Sequence, residues 1–87
     1  MTVITEATPN PNAMKFISNK QIFQGDASIS VMPDEISEYD VLNQLMKLEE
    51  VDNVFGYKFF ITINKHAEIK WEDIIPKVRA IMEKHGY

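Results

Sequence analysis

Trp71, Ile74, Ile75, Val78, Ile81 and Met82 recur at helical spacing near the end of the chain. A helix with one apolar stripe must lay that stripe against another element, so this segment alone demands a layered fold. Gly86 is a natural terminator. Pro76 sits inside the pattern, and an interior proline costs a helix about 3 kcal/mol. The spacing therefore predicts a helix proper that begins near Asp73, with Trp71 in an entry turn. A second stripe, Val41, Leu42, Leu45 and Leu48, predicts a helix over 38–49. Ser37 is placed to be its N-cap, with Asp40 three residues on as a short capping-box acid. Glu38 and Asp40 suit the positive end of its dipole.

The remaining segments alternate as strands do. Thr2–Ala7 places Val3, Thr5 and Ala7 on one side, and Ala13–Ser18 places Met14 and Phe16 opposite Lys15. Between them lies Thr8-Pro9-Asn10-Pro11-Asn12, a stiff loop of prolines and Asx-turn formers, so the pair reads as a hairpin. A polar stretch carrying Ile22 and Phe23 leads through Gly25-Asp26 to a possible third strand over 27–31, ended by Met32-Pro33-Asp34. Asn53–Lys65 reads as a second hairpin turning at Gly56-Tyr57-Lys58. Phe59, Ile61 and Ile63 then share one face and Phe60, Thr62 and Asn64 the other. The expected fold is α+β: an antiparallel sheet of four to five strands, built from two hairpins, with two helices packed on one face in the order ββ(β)αββα. One domain spans residues 1–87. Its expected core is Val3, Met14, Phe16, Leu42, Leu45, Leu48, Val54, Ile61, Ile63, Trp71, Ile75, Val78 and Ile81.

Composition narrows function more than it narrows fold. The net charge is −4, the wrong sign for nucleic acid. No apolar run is long enough to span a membrane, and Met1–Glu6 has neither the basic start nor the apolar stretch of a signal peptide, so the expected location is cytoplasmic. Acidic residues gather over 34–52 (Asp34, Glu35, Glu38, Asp40, Glu49, Glu50, Asp52) against Lys47 alone, a pattern that reads as a solvated face. The sequence has no cysteine. That excludes a disulfide, a thiolate nucleophile, a CxxC redox pair, and cysteine-ligated zinc or iron.

Little else carries chemistry. His66 lies two residues before Glu68, and His85 two after Glu83. A metal site needs three or four ligands, and each pair supplies two. These residues read as surface; the alternative is a small iron- or metal-binding protein using His66, Glu68 and nearby carboxylates. No serine sits in a strand–turn–helix elbow, and Gly25, Gly56 and Gly86 are too scattered for a phosphate loop. No enzyme is expected. The Thr8–Asn12 loop has two readings, a rigid connector or a recognition surface made by Thr8, Pro9, Asn10, Pro11 and Asn12 with Lys15 on the following strand.

At this point the chain resembles a known family. Thr8-Pro9-Asn10-Pro11-Asn12-Ala13-Met14-Lys15-Phe16 is similar to the opening signature of the Nfu/NifU N-terminal domain. Leu48–Phe55, Phe60–Lys65 (Phe-Ile-Thr-Ile-Asn-Lys) and Trp71–Val78 (Trp-Glu-Asp-Ile-Ile-Pro-Lys-Val) follow that family's later segments in order and spacing. Glu50 stands where the family usually has glycine and Phe59 where it usually has aspartate, and the turn around Gly56 is shifted. Full-length relatives carry a second, CxxC-bearing domain for a bridging cluster, and this chain is expected to stop short of it. The resemblance implies a role in iron–sulfur cluster assembly or transfer. It implies docking to a cluster carrier or recipient protein, such as a separate CxxC-bearing Nfu-type protein. No cofactor is then held by the chain itself, and the cluster is met only through the partner.

Overall fold

The computed structural model describes residues 3–87; Thr2, expected in the first strand, lies outside them. Five strands and two helices follow in chain order: β1 (Ile4–Ala7), β2 (Ala13–Ile17), β3 (Ile29–Val31), α1 (Asp40–Met46), β4 (Val51–Tyr57), β5 (Phe60–Lys65) and α2 (Trp71–Lys84). The strands form one antiparallel sheet in the order β1-β2-β5-β4-β3. The α+β expectation holds in class and order.

Register assigns each side chain to a face. Phe16 stands opposite Ile61, Met14 opposite Ile63, and Ile63 opposite Val54. Phe16, Ile61, Ile63 and Val54 are fully buried, together with Leu42 and Leu45 of α1 and Ile74, Val78 and Met82 of α2. One hydrophobic cluster thus joins both helices to this side of the sheet.

Several boundaries differ from the sequence reading, each for a local reason. Helix α1 is shorter, seven residues, and its N-cap is Tyr39 rather than Ser37. Ser37 Oγ instead accepts the Tyr39 N–H at 3.1 Å, a local turn that competes with helix capping. Helix α2 begins at Trp71 and keeps Pro76 inside. The bond Pro76 cannot donate would go to the Glu72 carbonyl; both residues are exposed, so water can take its place. The buried line of α2 is Ile74, Val78 and Met82, while Trp71, Ile75 and Ile81, like Met14 and Leu48, are only partly buried against the core.

The second hairpin starts earlier, at Val51, and Asp52 is the extra residue of a bulge between the Val51–Lys65 and Asn53–Asn64 pairs. Its turn is Lys58-Phe59, with Lys58 left-handed at φ 49°, and Phe59 is exposed rather than sharing the buried face of Ile61. Gly56 lies within β4. The Phe23 ring lies so close to it that a Cβ at position 56 would clash with the ring. Ile22 and Phe23 belong to the core the sequence reading missed. Their N–H groups both donate to the Lys58 carbonyl, at 2.7 and 3.0 Å, so the long crossing from β2 to β3 is stitched to the hairpin turn. Phe23 also meets Tyr39 edge-on at 4.9 Å.

Candidate functional site

The Thr8–Asn12 loop is built largely from its own hydrogen bonds. Asn10 Oδ1 accepts the Asn12 N–H at 2.9 Å, and the Ala13 N–H donates to the Asn10 carbonyl at 3.0 Å. Thr8 Oγ1 accepts the Asn10 N–H at 3.2 Å. These are the Asx-type turns that asparagine and threonine favour.

The loop is then tied to two distant elements. Trp71 Nε1 donates to the Pro11 carbonyl at 2.9 Å, while its ring packs against Phe16 at 6.4 Å. From β5, the Lys65 N–H donates to the Asn12 carbonyl at 2.9 Å and Lys65 Nζ donates to Asn12 Oδ1 at 3.0 Å. Lys65 Nζ also lies 3.4 Å from the His66 and Ala67 carbonyls and 5.7 Å from the centre of the Trp71 ring. Only 9% of this lysine is exposed. Burying an ammonium is costly unless donors and charge are matched, and here carbonyls and an aromatic face do that. The sequence reading did not single out Lys65. Its signal was phase: position 65 continues the buried alternation of Ile61 and Ile63.

The predicted site residues therefore divide. Thr8 and Asn12 hold the loop, and Pro9, Asn10 and Pro11 are exposed at its tip. Lys15 lies apart from them on the sheet face the helices leave open. There its Nζ sits 4.6 Å above the Phe60 ring and 3.8 Å from Glu6. The same face carries a continuous apolar row across four strands: Ile4 opposite Ile17, Ile17 opposite Phe60, and Phe60 opposite Tyr57. An open antiparallel face ordinarily alternates polar residues outward, so this row is unusual. Ile4 is 61% exposed.

Residues 3–87 match the family model for the N-terminal part of the scaffold protein Nfu/NifU. The chain belongs to the Nfu/NifU N-terminal family. Similar proteins include the human mitochondrial NFU1 iron-sulfur cluster scaffold homolog, 32% identical over 92% of this chain and 32% of that protein. The NifU-like protein C1709.19c of Schizosaccharomyces pombe is likewise 32% identical, over 93% of this chain and 32% of its own length. The chain thus spans about a third or less of the curated relatives it matches. The crystal structure of protein SAV1430 from Staphylococcus aureus has the same fold at TM-score 0.82 and 30% identity, over 94% of this chain and 99% of that one. Within this Nfu N-terminal fold, three of the four segments that carried the resemblance converge: Pro11 and Asn12, Lys65, and Trp71 meet at one corner.

The departures from the family pattern also find partners. Glu50 is bonded to Lys77 of α2, which holds its carboxyl below the usual carboxylate range and raises the Lys77 ammonium. Lys58, in the turn beside Phe59, pairs with Asp26 at 3.1 Å. His66 Nδ1 lies 3.9 Å from Asp52 Oδ1, while Glu68 is exposed. Among the described residues, no group of three or more His, Cys, Asp or Glu side chains is placed to hold a metal ion. With no thiolate in the sequence, these side chains do not fit an iron–sulfur cluster as a ligand set. Among them no helix is long and apolar enough to cross a membrane.

Proposed function

We propose that this Nfu N-terminal domain is a non-catalytic module that docks a cluster carrier or a cluster recipient during iron–sulfur assembly, in the cytoplasm. The observation that supports this reading is the match over residues 3–87 to the scaffold family by a sequence with no cysteine. A domain without thiolates can serve cluster traffic through contact, not through ligation. The contact surface we favour joins the exposed tip Pro9, Asn10 and Pro11 to Lys15 and the open-face apolar row. Thr8 and Asn12 act by holding the tip in place.

The test is binding of the purified domain to a separate CxxC-bearing Nfu-type protein loaded with its cluster. The domain should bind the loaded carrier while the cluster's absorbance stays with the carrier. Lys15→Glu and Phe60→Ser should each weaken that binding while the melting temperature changes little. No binding to the carrier or to a cluster-accepting apoprotein would remove the proposal. Uptake of the cluster by the domain alone would replace docking with ligation.

A further inference from the structure

A groove on the β3 side of the molecule has no part in that reading. Two adjoining cavities of about 570 and 500 Å³ share Glu35 and Ile36 in their walls. One runs along Ile29, Ser30 and Val31 of β3, which ends the sheet and so, among the described residues, leaves its outer backbone edge without a partner strand. The other reaches Met46 of α1 and Val51 at the start of β4. Its apolar centrepiece is Ile36, which is 87% exposed.

Ile36 is not exposed because its loop is loose. On one side the Met32 N–H donates to Glu35 Oε1 at 2.9 Å. On the other, Asn43 clamps Ser37 twice, its Oδ1 accepting the Ser37 N–H at 2.8 Å and its Nδ2 donating to the Ser37 carbonyl at 2.9 Å. A large aliphatic side chain is thus held outward between two fixed points. Around it acidic residues outnumber basic ones: Asp34, Glu35, Glu38, Asp40 and Asp52 line the two cavities against Lys47 and His66, with Asp40 also paired to His85 and Asp52 facing His66.

An unpaired strand edge, an outward-held apolar side chain and an acidic rim together select a ligand with free backbone groups, an apolar side chain and positive charge. We propose that this groove binds an extended lysine- or arginine-bearing segment of a partner protein, which adds to β3 as a strand and seats an apolar side chain against Ile36 and Met46. The proposal does not depend on the cluster-assembly reading or on the Thr8–Asn12 surface.

The probe is a fluorescein-labelled nine-residue peptide alternating lysine with isoleucine, titrated with the intact domain and read by anisotropy. Saturable binding is expected, weakening as salt rises. Ile36→Ala and the pair Asp34→Asn with Asp52→Asn should each weaken it about tenfold, the size of a modest hot spot. N-methylation of alternate peptide amides should abolish it. Ile36 and Asp34 are exposed, so unchanged melting curves will certify that the variants fold. The proposal fails if the lysine peptide does not bind, if a glutamate-for-lysine peptide binds as well, or if Ile36→Ala binds like the parent. It also fails if sedimentation reveals a dimer of the chain that Ile36→Ala dissolves, since the occupant would then be a second copy.

Discussion

The corners at Thr8–Asn12 and 33–38 are both pinned by hydrogen bonds, yet the largest side chains that meet at each are used in opposite ways. At the first corner, Trp71 turns its ring onto Phe16 and spends its N–H on Pro11, and Lys65 is drawn into the structure to satisfy Asn12. At the second, Asn43 and Glu35 hold the backbone while Ile36 points into water. One arrangement turns pinning into stability; the other turns it into display. An ordered loop is therefore no guide to its role until the direction of its apolar side chains is known.

Substitutions can break that contrast. The largest effect should come from Trp71→Ala, which removes the ring from Phe16 and the hydrogen bond to Pro11. It should cost about 3 kcal/mol in urea denaturation, and a loss below about 1 kcal/mol would mean the corner is not held by Trp71. Lys65→Met keeps most of the aliphatic stem but leaves Asn12 Oδ1 without its donor. A loss of about 1–3 kcal/mol is expected, and no loss would show that the buried ammonium is merely tolerated. Asn43→Ala strips both clamps from Ser37 and should cost about 1–2 kcal/mol, with faster amide exchange at Ser37 and Tyr39 as the specific sign.

A smaller, pH-dependent difference comes from the pair that links the helices. His85 Nδ1 donates to the Ile81 carbonyl at 2.9 Å, and when the ring is protonated Nε2 donates to Asp40 Oδ2 at 3.1 Å. The Ile81 carbonyl first and the Asp40 carboxylate second raise the His85 pKa, and the hydrogen bond from His85 lowers that of Asp40. A raised histidine pKa stabilises the fold fully below its unfolded value of about 6.5, and that contribution is lost as pH rises through the folded value. Asp40 adds the reverse limit, losing its contribution as pH falls through its lowered pKa. Melting temperatures of the parent and His85→Gln should therefore differ most in mildly acidic buffer and converge in alkaline buffer. A gap that widened with pH would overturn the assignment. The smallest change should be Ile36→Ala, within about 0.5 kcal/mol of the parent. A larger loss would mean that Ile36 supports the fold rather than decorating it.

Much of the architecture was legible because periodicity is a local property. The alternation around Phe16, Ile61 and Ile63, and the stripe containing Leu42 and Leu45, sort residues to one face without knowledge of the partner element. The resemblance at Thr8–Phe16 and Trp71–Val78 was legible for a different reason, since it rests on contiguous residue identities rather than on period. Where reading failed, a distant group had decided the matter. Gly56 looked like a turn residue because glycine usually marks turns; here it makes room for Phe23, thirty-three positions away in sequence. Phe23 itself lay in a polar stretch with no period to mark it.

The residue pattern alone settled the class of fold, the order of its elements and the absence of any thiolate ligand, because each follows from residue identity and near-neighbour spacing. Tertiary structure decided the rest. It drew Lys65 against Asn12 and the Trp71 ring, set Lys15 apart from the loop it follows, and left Ile36 in solvent. Burial and exposure depend on what lies across the gap, and that is determined only when strands and helices far apart in sequence are brought together.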